Sequence, residues 1–152
     1  MSRTDELLND PVFLRELVMD HYKYPHNHGL LDKADILSRH MASDSCIDDI
    51  TVQSDIQDGV IKDVRFDGIA CTISTASTSM MSDLLKGKTL EEAKDIIDTY
   101  LNMIENKDYD PEKLEEAVAF KNVHKQANRI KCATIGWKAM QEMIEESENR
   151  NG

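Results

Sequence analysis

The period of apolar positions along the chain changes twice. Phe13, Leu14, Leu17 and Val18 repeat at helical spacing. Asp10-Pro11 precedes them as an N-cap followed by proline at the first helical position, so a helix is expected to run to about Tyr22. Pro25 and Gly29, in YPHNHG, end it. From Ile50 the period falls to two. Ile50, Val52, Ser54 and Ile56 alternate with polar residues, Asp58-Gly59 supplies a hairpin turn, and Val60, Val64 and Phe66 alternate after it. Two antiparallel strands are expected there, and ILSRHM before them adds a third. From Thr72 the helical period returns, with Ile73, Ala76, Met80 and Leu84 on one face and Gly87 as the stop. Thr89 and Glu92 form a capping box, and Ala93, Ile96, Ile97, Tyr100, Leu101 and Ile104 follow as an apolar stripe. Asp110-Pro111 opens a short helix through Phe120. A last helix from about Cys132 carries Trp137, Met140 and Ile144, and its end is expected to fray from about residue 146. The pattern predicts a single α+β domain over residues 1–152: a small antiparallel sheet of about three strands, with several helices packed in one layer on it.

Composition narrows the partners. The 152 residues carry a formal net charge of -11, which argues against nucleic acid or an anionic membrane and favours a basic protein surface. No segment approaches the length of uninterrupted apolar sequence needed to span a bilayer. The opening MSRTDELLND has acids where a secretory signal needs an apolar run, so a cytoplasmic location is expected. Cysteines stay reduced there, and three of them do not suggest a disulfide framework.

The three thiols stand out against this map. Cys46 precedes the first strand of the hairpin. Cys71 sits where strand gives way to helix, and Cys132 at the expected start of the last helix. A helix N-terminus favours thiolate, the form that binds metal and attacks sulfur. Asp48 lies two residues from Cys46, so in an extended chain both side chains point the same way. With Cys71 and Cys132 they make four potential ligands of the kind zinc takes. The plainer alternative is that each cysteine is a small buried hydrophobe, and no CxxC spacing decides between the two. His26 and His28 read as solvated turn residues. His21, His40 and His124 have no spacing that pairs them with a thiol, and no local signature supports a Cys–His dyad.

DHYKYPHNHG (20–29), Cys46-x-Asp48, CTISTASTSMM (71–81), KGKTLEEA (86–93) and RIKCATIGWKAM (129–140) together resemble the U-type iron–sulfur assembly family over nearly the whole chain. Two features resemble its SufU branch more than its IscU branch. The stretch between the second and third cysteines is longer, around NKDYDPEKLEEA, and Lys131 stands where IscU proteins carry histidine.

The resemblance implies a SufE/IscU-like fold and a zinc ion held by Cys46, Asp48, Cys71 and Cys132. It implies a sulfurtransferase that accepts persulfide sulfur on Cys46 from a SufS-type cysteine desulfurase and relays it to downstream iron–sulfur assembly proteins. In that picture a desulfurase histidine takes a place on the zinc and frees Cys46, and Arg129 matches an arginine needed near the site. The alternatives are a scaffold on which an iron–sulfur cluster is built on the same thiolates, and a structural zinc domain that has lost transfer. The chain departs from the family at two glycines: Ile47 follows Cys46 where the family has Gly, and Ala70 precedes Cys71 where the family has Gly. Both departures are expected to stiffen the loops around the site.

Overall fold

The computed structural model describes residues 6–42 and 47–151. Helix α1 (Pro11–Lys23) starts as the sequence predicts: the Asp10 side chain accepts from the Val12 amide, and Pro11 opens the first turn. Strands β1 (Leu37–Ala42), β2 (Asp49–Gln57) and β3 (Val60–Ile69) form one antiparallel sheet in that order. Leu37 pairs with Ser54 between β1 and β2, and Asp49 pairs with Ile69 between β2 and β3. The turn at Asp58-Gly59 has positive φ at both residues, as a tight hairpin requires.

A register shift between Asp55 and Ile56 moves the phase of the hairpin. It corrects one expectation. Ile61, not Val60, enters the core beside Val64 and Phe66, because a bulge places two residues opposite one and reverses the inside–outside alternation.

Helices α2 (Thr72–Leu85), α3 (Leu90–Ile104) and α4 (Ala127–Asn151) follow the sheet. The capping box of α3 is complete: the Glu92 amide donates to Thr89 Oγ1, and the Thr89 amide donates back to Glu92 Oε1. Among the described elements, α2 packs mainly against α1 and α4 and meets the sheet at β3, α4 meets the sheet at β1 and β2, and α3 lies against α4. Two helices rather than all four thus form the principal layer on the sheet.

The chain between α3 and α4 is not the single α-helix expected through Phe120. It forms three 3₁₀ pieces, Pro111–Lys113, Glu115–Phe120 and Val123–Lys125, with Leu114 and Phe120 anchored in the core. Glu115 has a φ of 48°, which no α-helix accepts in its interior. Helix α4 also begins at Ala127, five residues before Cys132, because its first turn is exposed and carries no apolar repeat. It runs to Asn151, through the segment expected to fray from about residue 146. Ser147 is buried and Arg150 pairs with Glu146 one turn back.

The crossing of α2 and α4 is close, and small residues make it so. A Cβ added to Gly136 would lie 2.5 Å from Thr78 Oγ1. Ser77 Oγ donates to the Ala133 carbonyl at 2.6 Å, and Trp137 Nε1 donates to Ser77 Oγ at 2.9 Å. Tyr100 from α3 stacks on Trp137 with ring centroids 3.8 Å apart and donates its hydroxyl to the Ala133 carbonyl. Full burial raises the Tyr100 phenol well above its ordinary range, so it stays a neutral donor. The run of small and hydroxylated residues after Cys71 is therefore the inner face of a helix pressed against another helix.

Candidate functional site

That tight crossing brings Cys71, at the start of α2, beside Cys132 in the second turn of α4. Asp48 arrives from the loop just before β2. One ligand atom each from Asp48, Cys71 and Cys132 lie within 4.8 Å of one another. Asp48 and Cys132 are buried and Cys71 is half-buried. Cys46 and the Ser43–Ser45 stretch before it lie outside the described residues.

Cys71 is the N-cap of α2, with extended backbone and with its sulfur 3.5 Å from the Ser74 amide that donates to it. Its own amide donates to Asp48 Oδ1 at 2.8 Å, and its Sγ lies 4.0 Å from Asp48 Oδ2. Ser74 Oγ donates to Asp48 Oδ2 and also lies 3.0 Å from the Cys132 carbonyl. A buried carboxylate is tolerable only when donors surround it, and here the first turn of α2 supplies them. The approach of β3 is set by Gly68, whose φ is 130°. A Cβ there would lie 2.3 Å from the Asp49 carbonyl oxygen, so only glycine lets the strand pass Asp49 on its way to Cys71.

Cys132 is the sixth residue of α4, not its first. It does not sit at a helix terminus as the sequence suggests, whereas Cys71 does. Arg129 is exposed and lies one turn before Cys132, on the same side of α4 by helical spacing. Lys131 is exposed too. Two apolar side chains, Ile47 and Ile69, stand out into solvent beside Asp48 and Cys71, 68% and 69% exposed.

Two sulfurs and a carboxylate fit a borderline divalent ion. Around tetrahedral zinc, ligand atoms sit roughly 3.5–3.8 Å apart, and the 4.8 Å cluster needs only a small contraction to reach that. Sequence reasoning missed Ser74. Its signal was its place three residues after Cys71, the position whose amide and side chain turn back toward an N-cap. It also missed that His21 is buried and that His26 is bonded rather than merely solvated: His26 Nδ1 lies 2.5 Å from Asp83 Oδ2.

Residues 14–152 match the family described as NifU-like N terminal domain, and the chain belongs to that family. Over 138 residues it is 36% identical to the zinc-dependent sulfurtransferase SufU of Bacillus subtilis, covering 90% of this chain and 92% of that one. Over 134 residues it is 39% identical to the iron–sulfur cluster assembly scaffold protein IscU of Streptococcus pyogenes, covering 88% and 83%. In three dimensions it resembles a crystal structure from Fervidobacterium islandicum, described as a candidate iron–sulfur cluster assembly scaffold protein for the SUF system. The TM-score is 0.72 at 30% identity, covering 83% of this chain and 92% of that one. The α+β reading and the family resemblance drawn from the sequence are both borne out.

Proposed function

We propose that this protein accepts persulfide sulfur from a SufS-type cysteine desulfurase and carries it to iron–sulfur cluster assembly, with zinc held by Cys46, Asp48, Cys71 and Cys132. The observation that carries this reading is the convergence of Asp48, Cys71 and Cys132, three residues far apart in sequence, at one point where two of them are buried and Cys71 is half-buried. The likeness to a relative named a zinc-dependent sulfurtransferase supports it.

Zinc bound there would hold thiolates unprotonated without redox chemistry of its own. The chain's own residues prepare the place. The Ser74 amide donates to Cys71 sulfur, the Cys71 amide and the Ser74 hydroxyl orient Asp48, and Arg129 puts positive charge one turn from Cys132. In the transfer step the Cys46 thiolate attacks the terminal sulfur of the partner's persulfide. A new S–S bond forms on Cys46, the old S–S bond breaks, and its electron pair leaves with the partner's cysteine as thiolate. No oxidant is needed. Among the described residues no helix is long and apolar enough to cross a membrane, which suits a carrier meeting a protein partner in solution.

A second reading, a scaffold that holds an iron–sulfur cluster on the same thiolates, is favoured by the relatives named as scaffolds. Metal analysis with visible absorbance separates the two. A colourless protein with close to one zinc per chain, sulfur added at Cys46 on incubation with desulfurase and cysteine, and faster desulfurase turnover are the outcomes expected. A brown protein with a charge-transfer band, or sulfur found only on Cys71 or Cys132, would overturn the carrier reading.

A further inference from the structure

A second group of ligand-type side chains lies near the other end of α2. Asp83 is twelve residues after Cys71, which along a helix is about 18 Å. His21 comes from the last turns of α1 and His26 from the turn that follows. One ring nitrogen of each histidine and one carboxylate oxygen of Asp83 lie within 4.8 Å of one another. The two imidazole rings lie with centroids 4.4 Å apart and planes tilted by 44°.

Each donor is fixed by a second partner. His21 is 3% exposed; its Nε2 lies 3.1 Å from Glu116 Oε1, and its Nδ1 lies 2.6 Å from Ser79 Oγ. Ser79 Oγ also accepts the His26 main-chain amide at 2.8 Å, which pins the turn. Asn27 Nδ2 donates to Asp83 Oδ1 at 3.0 Å, leaving Oδ2 turned toward His26. A carboxylate behind one histidine and an amide behind the ligand carboxylate are the outer partners that orient metal ligands in known sites. A polar network that only tied α1 to α2 would need one histidine against Ser79. It would not need a second imidazole beside the first, nor a carboxylate beside that. His26 and Asp83 are about half exposed, so an ion can enter from solvent and keep water on its open side.

We propose that His21, His26 and Asp83 form a divalent-metal site separate from the thiolate pair. Two imidazole nitrogens and one carboxylate oxygen, with water completing the shell, suit a borderline first-row ion of the Fe²⁺, Co²⁺ or Zn²⁺ type. The site does not depend on what the thiolates hold.

Cobalt(II) titrated into the full-length protein as isolated tests this. One equivalent should bind with a visible ligand-field spectrum that lacks the charge-transfer band of thiolate ligation, and it should raise the melting temperature. His26→Ala and Asp83→Asn, both at half-exposed positions, should each weaken that equivalent about tenfold or more while leaving the metal content of the thiolate site unchanged. Glu116→Gln should weaken it by a similar factor through His21. Cobalt that binds only with the thiolate band, no additional equivalent, or an equivalent that survives both His26→Ala and Asp83→Asn overturns the proposal.

Discussion

The Ser74 hydroxyl stands between Asp48 Oδ2 and the carbonyl of Cys132, so one small side chain joins two of the candidate ligands. Its single hydrogen goes to the charged acceptor, since a bond to a carboxylate is the stronger of the two. Ser74→Ala removes that donor from a buried carboxylate. Zinc affinity should fall about 10- to 100-fold, read by competition with a chromophoric chelator. Stability of the metal-free protein at neutral pH should drop on the order of 1–3 kcal/mol. Unchanged zinc affinity in a folded Ser74→Ala protein would show that Ser74 does not position Asp48.

Gly136 and Thr78 decide how closely α2 and α4 approach, and through them how closely Cys71 approaches Cys132. A methyl on Gly136 meets Thr78 Oγ1, Cγ2 and Cβ at 2.5, 2.9 and 3.1 Å. Gly136→Ala should therefore destabilise by about 1–3 kcal/mol through overpacking. Thr78 Oγ1 is buried without a hydrogen-bond partner among the described residues, so Thr78→Ala should be mild by itself. Combined, the two should cost clearly less than their sum, because the second removes Oγ1 and Cγ2, the two atoms that the first strikes hardest. Urea denaturation of all four proteins gives the cycle, and strict additivity would refute the contact.

What the sequence shows and what it hides divides along physical lines. Periodicity locates α1, the hairpin, α2 and α3, because each buries one face on a repeating spacing. The start of α4 is hidden because Ala127, Asn128 and Arg129 are exposed and leave no apolar mark. The shift of Val60 and Ile61 is hidden because a bulge inserts a residue without a composition signal. Cys71, Asp48 and Cys132 are legible only as residue types together with a family resemblance, and their meeting is a product of the helix crossing. His21, His26 and Asp83 escape altogether. The pair His26–Asp83 spans 57 residues, and the burial of His21 depends on Ser79 and Glu116 from two other elements.

Asp55 carries a pH signature. A hydrogen bond from Lys33, aided by Gln57, holds its carboxyl below the ordinary range despite burial. A depressed native value means that the ionised form is favoured in the folded state. Its stabilising effect is thus fully present above the unfolded value of about 3.9 and is lost as pH falls through the native one. Lys33 is half exposed, so the pair is worth only about 0.5–1 kcal/mol. Asp55→Asn should be less stable than the parent by that amount at neutral pH, and the gap should close in acid. A gap that stays constant from neutral pH into acid would assign the loss to packing rather than charge.

The two positions where this chain lacks the family glycines separate into different roles. Ala70 does not have positive φ and packs against the core, so its backbone makes no demand for glycine. Ala70→Gly should lower stability by roughly 0.5–1 kcal/mol through chain entropy and leave sulfur transfer unchanged. Ile47 is different. It is 68% exposed and stands between Cys46 and Asp48 in sequence, and its branched side chain restricts its own backbone beside the residue that the proposed function makes the sulfur acceptor. Ile47→Gly, and the double variant with Ala70→Gly, should therefore accept sulfur from the cognate desulfurase faster than the parent at equal zinc content. The measurement is desulfurase turnover against carrier concentration, together with affinity for the desulfurase. An Ile47→Gly protein that binds the desulfurase more weakly and transfers no faster would show that Ile47 is a contact for the partner rather than an obstacle to it.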